Sequence, residues 1–204
     1  MPTRAILSCA GAALLLTPAL SQQHPPTVYQ IRPGPEQRFA LEVFKSGLWE
    51  GRKHEFLFSD YSGGVRYDQS EPESSTVEFA IEGASATCQE TWVSEGDRGK
   101  IQAQAFKMMD VPSHPHLRFT SRQVVPLGGG RFQVKGSLEI RGIAKPVTLE
   151  VTLNSTGDDT LDFEGKARVL MGDYGLKPPG AALGLIGTKN EMRVEFKLRA
   201  RRAP

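Results

Sequence analysis

The strand-like segments after residue 38 share one pattern, in which apolar side chains alternate with charged or polar ones. Residues 147–153 and 192–200 show it most clearly. Because successive side chains of a β-strand point to opposite faces, this period of two predicts sheets with one apolar and one solvated face. The apolar faces must be buried together, in two stacked sheets or in one closed barrel, and a barrel can also enclose a ligand.

The first 21 residues have the features of a secretory signal peptide. A single arginine precedes a short run of small and apolar residues at 5–16, and Ala19 and Ser21 give the spacing of a cleavage site before Gln22. The run is too short to span a bilayer comfortably. We therefore expect an exported, periplasmic chain that has no stable membrane anchor.

Composition narrows the possible functions. Cys88 is the one cysteine expected to remain after cleavage, so the core must hold the fold without an internal disulfide. With 25 basic and 23 acidic residues, the formal net charge is +2, which gives no argument for nucleic acid as a partner. No pair or triad of residues suits an active site, so we expect a protein that is not an enzyme and has no cofactor.

The alternation divides the chain into a lead-in and one domain. Residues 22–37 are rich in Gln, Pro and His and predict an extended lead-in, and residues 38–204 predict a single β domain. Short turns favour antiparallel neighbours. We predict strands at 38–45, 53–67 (with an interruption), 76–82, 116–124, 131–141, 146–154, 160–170 and 190–200.

One segment has helical spacing instead. Apolar residues between Asp97 and Val111 recur every three to four positions, Asp97 can cap the start, and Pro112 ends the run. This predicts one helix at about 97–110, lying across the barrel at one end. The predicted fold is therefore all-β, a single antiparallel, lipocalin-like barrel of about eight strands with one helix.

The phase of the alternation predicts which side chains face a ligand. Gly136, Gly165 and Ala167 share that phase, and we interpret them as small residues that widen a tunnel bordered by Phe132 and Phe163. The ligand-binding positions that we predict are Phe39, Leu41, Val43, Phe56, Phe58, Phe79, Ile81, Phe119, Phe132, Val134, Leu138, Ile140, Leu149, Phe163, Ala167 and Phe196.

Two alternatives to a ligand-binding barrel stay open at this point. The interior could be filled, leaving a structural or interaction module that pairs through exposed edge strands into a homodimer. His114 and His116, with Asp110 nearby, could instead hold a metal ion. His54 is expected to be half-buried beside Trp49, without a partner that would make it a catalytic base.

Several motifs are familiar from a known family. Residues 136–149, GSLEIRGIAKPVTL, resemble the hairpin that marks the YceI-like family, and residues 114–121 resemble its Tyr-Pro-x-Ile-x-Phe-x-Ser segment with histidine in place of tyrosine. Residues 58–67 and 173–176 also match in order, so the similarity spans about residues 28–200. The resemblance implies a lipocalin-like periplasmic barrel that holds a long-chain amphiphile, such as a polyisoprenoid, an isoprenoid quinone or a fatty-acid-like lipid.

Overall fold

The computed structural model describes residues 25–157, 159–180 and 185–204. The predicted signal peptide, residues 1–21, and the first residues of the lead-in lie outside the described residues, so the export signal stays a prediction. Within the described ranges, no helix combines the length and the apolar character needed to cross a bilayer.

The described residues form eleven strands, one α-helix and three short 3-10 turns. The helix is α1 (Glu95–Met109), and the 3-10 turns are Pro72–Ser74, Gly83–Ser85 and Met171–Tyr174. The strands are β1 (Thr27–Ile31), β2 (Arg38–Gly47), β3 (Lys53–Phe58), β4 (Tyr61–Tyr67), β5 (Thr76–Glu82), β6 (Ala86–Cys88), β7 (His116–Gly128), β8 (Arg131–Ile140), β9 (Ile143–Thr156), β10 (Thr160–Leu170) and β11 (Ile186–Arg202).

All the strand pairs are antiparallel, and the sheet closes on itself. The order is β1-β4-β5-β7-β8-β9-β10-β11, and β11 returns to pair with β1. Three strands extend the barrel lengthwise after short interruptions. β2 continues β1 along the same edge of β11, β3 continues β4, and β6 continues β5. In this part of the sheet, β3 lies between β2 and β6. Counted this way, eight strands surround the core, which confirms the predicted barrel.

The two ends of the barrel differ. We call the end that carries the β2–β3 turn, α1 and the start of β11 the mouth, and the end that carries the β7–β8 turn the closed end. At the mouth, β7 begins opposite the last residue of β5. β6, which continues β5 beyond that point, pairs with β3 on one edge, and no strand among the described residues pairs with its other edge. The helix α1 packs against β6 at this gap. The helix therefore completes the wall that the sheet leaves open.

The helix begins two residues earlier than the sequence indicates. Ser94 is its N-cap, because the Ser94 hydroxyl accepts a hydrogen bond of 3.1 Å from the Asp97 amide. Asp97, which we expected to be the cap, lies inside the first turn, and its carboxylate accepts a bond from the Ser94 hydroxyl. Asp110 ends the helix in the left-handed region, with φ of 51°.

The hairpin that carries the family-like motif has a two-residue turn. Ile140 and Ile143 form the last pair of β8 and β9, and Arg141 and Gly142 between them both have positive φ, 55° and 72°. A type I′ turn needs positive φ at both central residues, which glycine accepts most easily. This requirement explains the glycine at position 142 of the motif.

Two strands were not predicted. β1 lies within residues 22–37, which we interpreted as a lead-in, and it carries Tyr29 and Ile31 into the core at 5% and 1% exposure. β6 is only three residues long and follows the turn after β5. The interruption predicted inside 53–67 is present, between β3 and β4.

Candidate functional site

The barrel encloses a cavity with a volume of about 400 Å³. Side chains from the strands form its walls, and Ile101, Ala105, Met108 and Met109 of α1 close it at the mouth. This volume falls within the range of pockets that hold small ligands. A barrel filled solid by its own side chains would leave no such space, so the cavity favours the ligand-binding interpretation.

Fourteen of the sixteen predicted ligand-binding positions line this cavity. Their role in ligand binding stays a prediction, but their inward orientation follows the phase read from the sequence. The lining positions are Phe39, Leu41, Val43, Phe56, Phe58, Phe79, Ile81, Phe119, Leu138, Ile140, Leu149, Phe163, Ala167 and Phe196.

Phe132 and Val134 do not line the cavity, which corrects the sequence interpretation. Both lie in the first half of β8, near the closed end. Val134 is packed into the core at 5% exposure, beside a region in which Val124 and Leu161 are also buried. Inward phase places a side chain inside the barrel, but it does not say at which level the barrel is hollow.

Phe132 instead borders a second hollow of about 620 Å³. Charged side chains, among them Glu150, Lys166 and Lys197, contribute to its walls. Its mixture of charged and apolar groups gives a long apolar chain less surface to bury than the interior does. The enclosed cavity is therefore the candidate site.

Aromatic rings form much of the cavity wall. Phe39 is central, with the Phe79 ring stacked 5.3 Å away and the Phe196 ring stacked 6.0 Å away between centroids. Phe58 meets Phe39 edge to face at 5.9 Å, and Phe163 meets Phe196 at 6.3 Å. These rings give the site a large apolar surface with fixed geometry.

Polar side chains in the lining collect at the mouth, and sequence reasoning missed most of them. Lys45 and Thr188 are each 9% exposed, and the Lys45 ammonium lies 3.5 Å from the Thr188 hydroxyl. The same ammonium lies 5.6 Å from the ring centroid of Trp49. Lys45 follows Leu41 and Val43 in the inward phase of β2, so a lysine in the apolar phase was the available signal.

The polar residues of the mouth include a buried carboxylate nearby, that of Glu90. Glu90 is 4% exposed and accepts hydrogen bonds from the Glu55 amide and the Cys88 thiol, with His54 Nδ1 lying 3.5 Å from Glu90 Oε1. Burial acts to raise the pKa of Glu90, but the surrounding donors hold that pKa below its ordinary value. The His54 ring is buried rather than half-buried and stacks 5.4 Å from Trp92.

Burial and the bond to Glu90 raise the pKa of the Cys88 thiol to about 11. At neutral pH the sulfur therefore carries its proton, and a protonated thiol is a weak nucleophile. Cys88 is unpaired and buried, and it acts as a hydrogen-bond donor within the wall.

The two histidines predicted as a metal-binding pair, His114 and His116, do not face a common site. His116 Nε2 lies 3.2 Å from Glu82 Oε2 on the surface, whereas the His114 ring lies against Gly142 of the β8–β9 turn. In the part of the chain that the structure describes, no group of three or more His, Cys, Asp or Glu side chains is arranged to hold a metal ion.

A sequence profile described as the YceI-like domain matches residues 38–200, which is most of the chain. The chain belongs to the YceI-like family. This membership confirms the resemblance seen in the hairpin motif.

Among the curated relatives of this chain, a UPF0312 protein of Pseudomonas putida is 31% identical over 129 residues. A UPF0312 protein of Pseudomonas syringae pathovar tomato is 29% identical over 129 residues. These alignments cover 61% and 60% of this chain and 64% of each relative, so the chain spans somewhat less than two thirds of the relatives' length.

Two solved structures share the fold. BcnA of Burkholderia cenocepacia superposes with a TM-score of 0.64 at 20% identity, covering 80% of this chain and 96% of that one. A polyisoprenoid binding domain from Saccharophagus degradans superposes with a TM-score of 0.60 at 12% identity, covering 87% of this chain and 99% of that one.

In this member of the family, inward-facing glycines make room for aromatic rings and do not widen the cavity. A Cβ built on Gly136 would lie 2.6 Å from the Phe119 ring, and one built on Gly63 would lie 2.6 Å from the Phe79 ring. A Cβ built on Gly165 would likewise lie too close to the Phe196 ring. Our interpretation of Gly136 and Gly165 as a widened wall is therefore wrong, because rings from neighbouring strands occupy the space above them.

We expect Gly165→Ala to lower the free energy of unfolding by about 1–3 kcal/mol, the usual effect of overpacking. The added methyl would contact the Phe196 ring and lie 2.7 Å from the Glu150 carbonyl oxygen, which cannot move without distorting β9. Denaturant unfolding measures the change, with Gly64→Ala as the control, since a Cβ there would meet only the Tyr29 carbonyl oxygen, at 3.9 Å. Equal stability of the two variants would contradict this packing role.

Proposed function

We propose that this protein is a non-enzymatic carrier that sequesters a long-chain apolar or amphiphilic ligand inside its barrel, in the bacterial periplasm. The observation that best supports this function is the largely apolar cavity of about 400 Å³ inside the barrel. The ligand class is a polyisoprenoid, an isoprenoid quinone or a fatty-acid-like lipid.

The physical driving force is the burial of the chain. Each methylene moved from water into the cavity contributes roughly 0.8 kcal/mol, before the free energy of ordering the ligand is subtracted. The Phe-rich wall offers continuous apolar contact for such a chain. A chain of many methylenes can therefore be held without covalent attachment.

One protein that shares the fold supports this ligand class. The Saccharophagus degradans domain that shares the fold is described as binding polyisoprenoid. Two observations support a carrier that does not catalyse a reaction. The Cys88 thiol stays protonated and is a weak nucleophile, and the His116 imidazole lies on the surface beside Glu82.

Export is supported by the amino-terminal sequence, in which an apolar run precedes a small-x-small site. Purification from the periplasmic fraction, followed by amino-terminal sequencing, tests this part of the proposal. The expected first residue is Gln22. Recovery of the uncleaved chain from the cytoplasm would contradict export and leave the cavity proposal unaffected.

Binding is tested by native mass spectrometry of the exported protein together with organic extraction and lipid analysis. We expect an adduct whose mass matches a long-chain lipid in the extract, at close to one per chain. A protein that carries no lipid and takes up none when incubated with fatty acids and polyprenols would contradict the carrier function. Light scattering of the same sample tests whether the protein pairs as a homodimer, the alternative raised by exposed edge strands.

A further inference from the structure

Lys45 is a buried cation in the wall of an otherwise apolar cavity. It is 9% exposed, and among the described residues no carboxylate oxygen lies within 4 Å of its ammonium. Its polar neighbours are the Thr188 hydroxyl at 3.5 Å and the face of Trp49 at 5.6 Å. An ammonium has three donors, and one long hydrogen bond leaves most of that capacity unused.

The burial of this ammonium carries a desolvation penalty. Desolvation lowers the pKa of Lys45, and the attraction of Glu90 only partly opposes this effect. Glu90 itself is engaged by the Cys88 thiol, the Glu55 amide and His54. The buried carboxylate that attracts Lys45 is therefore committed to other donors.

The position of Lys45 suits the polar end of an amphiphile. The lining residues deeper in the barrel, such as Phe39, Phe163 and Phe196, are apolar, whereas Lys45, His54 and Thr188 lie near the mouth. The other charged lining residues are Asp97 and Lys100 on α1, which pair with each other at 3.1 Å. A ligand lying along the barrel would place its chain among the rings and its head beside the Lys45 ammonium.

We propose that Lys45, together with Thr188 and Trp49, forms a headgroup site for an oxyanion, a carboxylate or a phosphate, at the end of the bound chain. The inference rests on the proposed function and specifies the chemistry of its ligand. A compact ammonium is well matched to carboxylate and phosphate oxygens, and a charge-assisted hydrogen bond in a desolvated site is strong. The Thr188 hydroxyl can donate to the same oxyanion, and the Trp49 ring covers the apolar side of the head.

The test compares ligands that share one chain and differ in the head. Delipidated protein is titrated with hexadecanoate, hexadecyl phosphate, hexadecanol and hexadecylamine by calorimetry, with acetate and inorganic phosphate as chain-free probes. We expect the two oxyanion lipids to bind about tenfold or more tightly than hexadecanol, the factor given by one charge-assisted hydrogen bond. Hexadecylamine is expected to be the weakest lipid, and the chain-free anions are expected not to bind, because chain burial supplies most of the affinity.

Variants assign the preference to Lys45. Lys45→Met removes the charge while keeping an apolar stem, so we expect it to bind hexadecanol as the wild type does and to lose the preference for oxyanions. Lys45→Arg is expected to retain that preference. Lys189→Gln is the matched control, since Lys189 is a cation at the same mouth that pairs with Glu50 on the surface and does not line the cavity, and it should leave all four affinities unchanged.

The outcomes separate the two proposals. If hexadecanol binds the wild type as tightly as hexadecanoate, or if Lys45→Met keeps the oxyanion preference, the headgroup site is overturned and the carrier function stands. Strong binding of inorganic phosphate alone would make the site a free-anion site and overturn its assignment to a lipid head. If none of the four lipids binds the wild type, the headgroup site is overturned, and incubation of the same protein with polyprenols shows whether the carrier function stands or fails with it.

Discussion

An Ala167→Phe variant is expected to fold with nearly wild-type stability and to lose its bound lipid. Ala167 lines the cavity on β10, between Leu149 of β9 and Val194 of β11 in the register of the sheet. A ring added there projects into the cavity, so the overpacking penalty of about 1–3 kcal/mol seen in solid cores should be largely absent. The same ring blocks the path of a chain along the barrel.

Lipid extraction and thermal melting of delipidated protein measure the two effects together. We expect lipid content to fall at least tenfold while the melting temperature of the delipidated variant stays close to that of the delipidated wild type. Lys166→Phe is the control, since it adds the same ring to the next residue of β10, whose side chain pairs with Glu150 on the outer face. An Ala167→Phe protein that melts much earlier, beside a wild type that carries no lipid, would mean that the interior is packed solid.

Glu90→Ala is expected to lower the free energy of unfolding by about 2–3 kcal/mol. The substitution leaves the Glu55 amide and the Cys88 thiol without an acceptor in a site where water has little access, and an unsatisfied buried donor carries a desolvation penalty of about 1–3 kcal/mol. Glu50→Ala is the control, because Glu50 makes an exposed ion pair with Lys189 and such pairs contribute little. Urea unfolding at neutral pH gives both values.

The pH dependence of the Glu90 contribution has a definite sign. Its folded-state pKa lies below the ordinary value of 4.5, so the ionised carboxylate stabilises the fold fully above about pH 4.5. That contribution is lost as the pH falls through the folded-state pKa. The difference in unfolding free energy between the wild type and Glu90→Gln, which does not titrate, should therefore shrink below pH 4.5. A difference that stays constant down to pH 2 would show that the charge of Glu90 contributes nothing.

The architecture could be predicted from the sequence because the long strands carry their own signal. β10 and β11 are 11 and 17 residues long, enough for a period of two to be unmistakable. β1 has only five residues between proline-rich segments, and β6 has three, so neither offers enough repeats to recognise. Both are fixed by pairing with strands that lie far away in the chain.

The interior of the site was only partly predictable, for two physical reasons. Phase along one strand says that Gly136 and Gly165 face inward, but the rings that cover them belong to other strands and follow from the register. Glu90 and Trp92 lie in a segment without periodicity, and they meet His54 only through tertiary contact. Lys45 was not predicted, although its inward phase in β2 was readable from the sequence.

The pairing of β1 with the end of β11 has a consequence for how the chain is made. Tyr29 faces Arg202, and Ile31 faces Ala200, so the ring of strands cannot close while the carboxyl-terminal residues are still being synthesised. Contacts between such distant parts of a chain make folding slow, because the loop entropy is lost before the contact forms. A delay of this kind leaves the chain unfolded after its amino terminus has appeared, and an unfolded chain is the form that the proposed export would require.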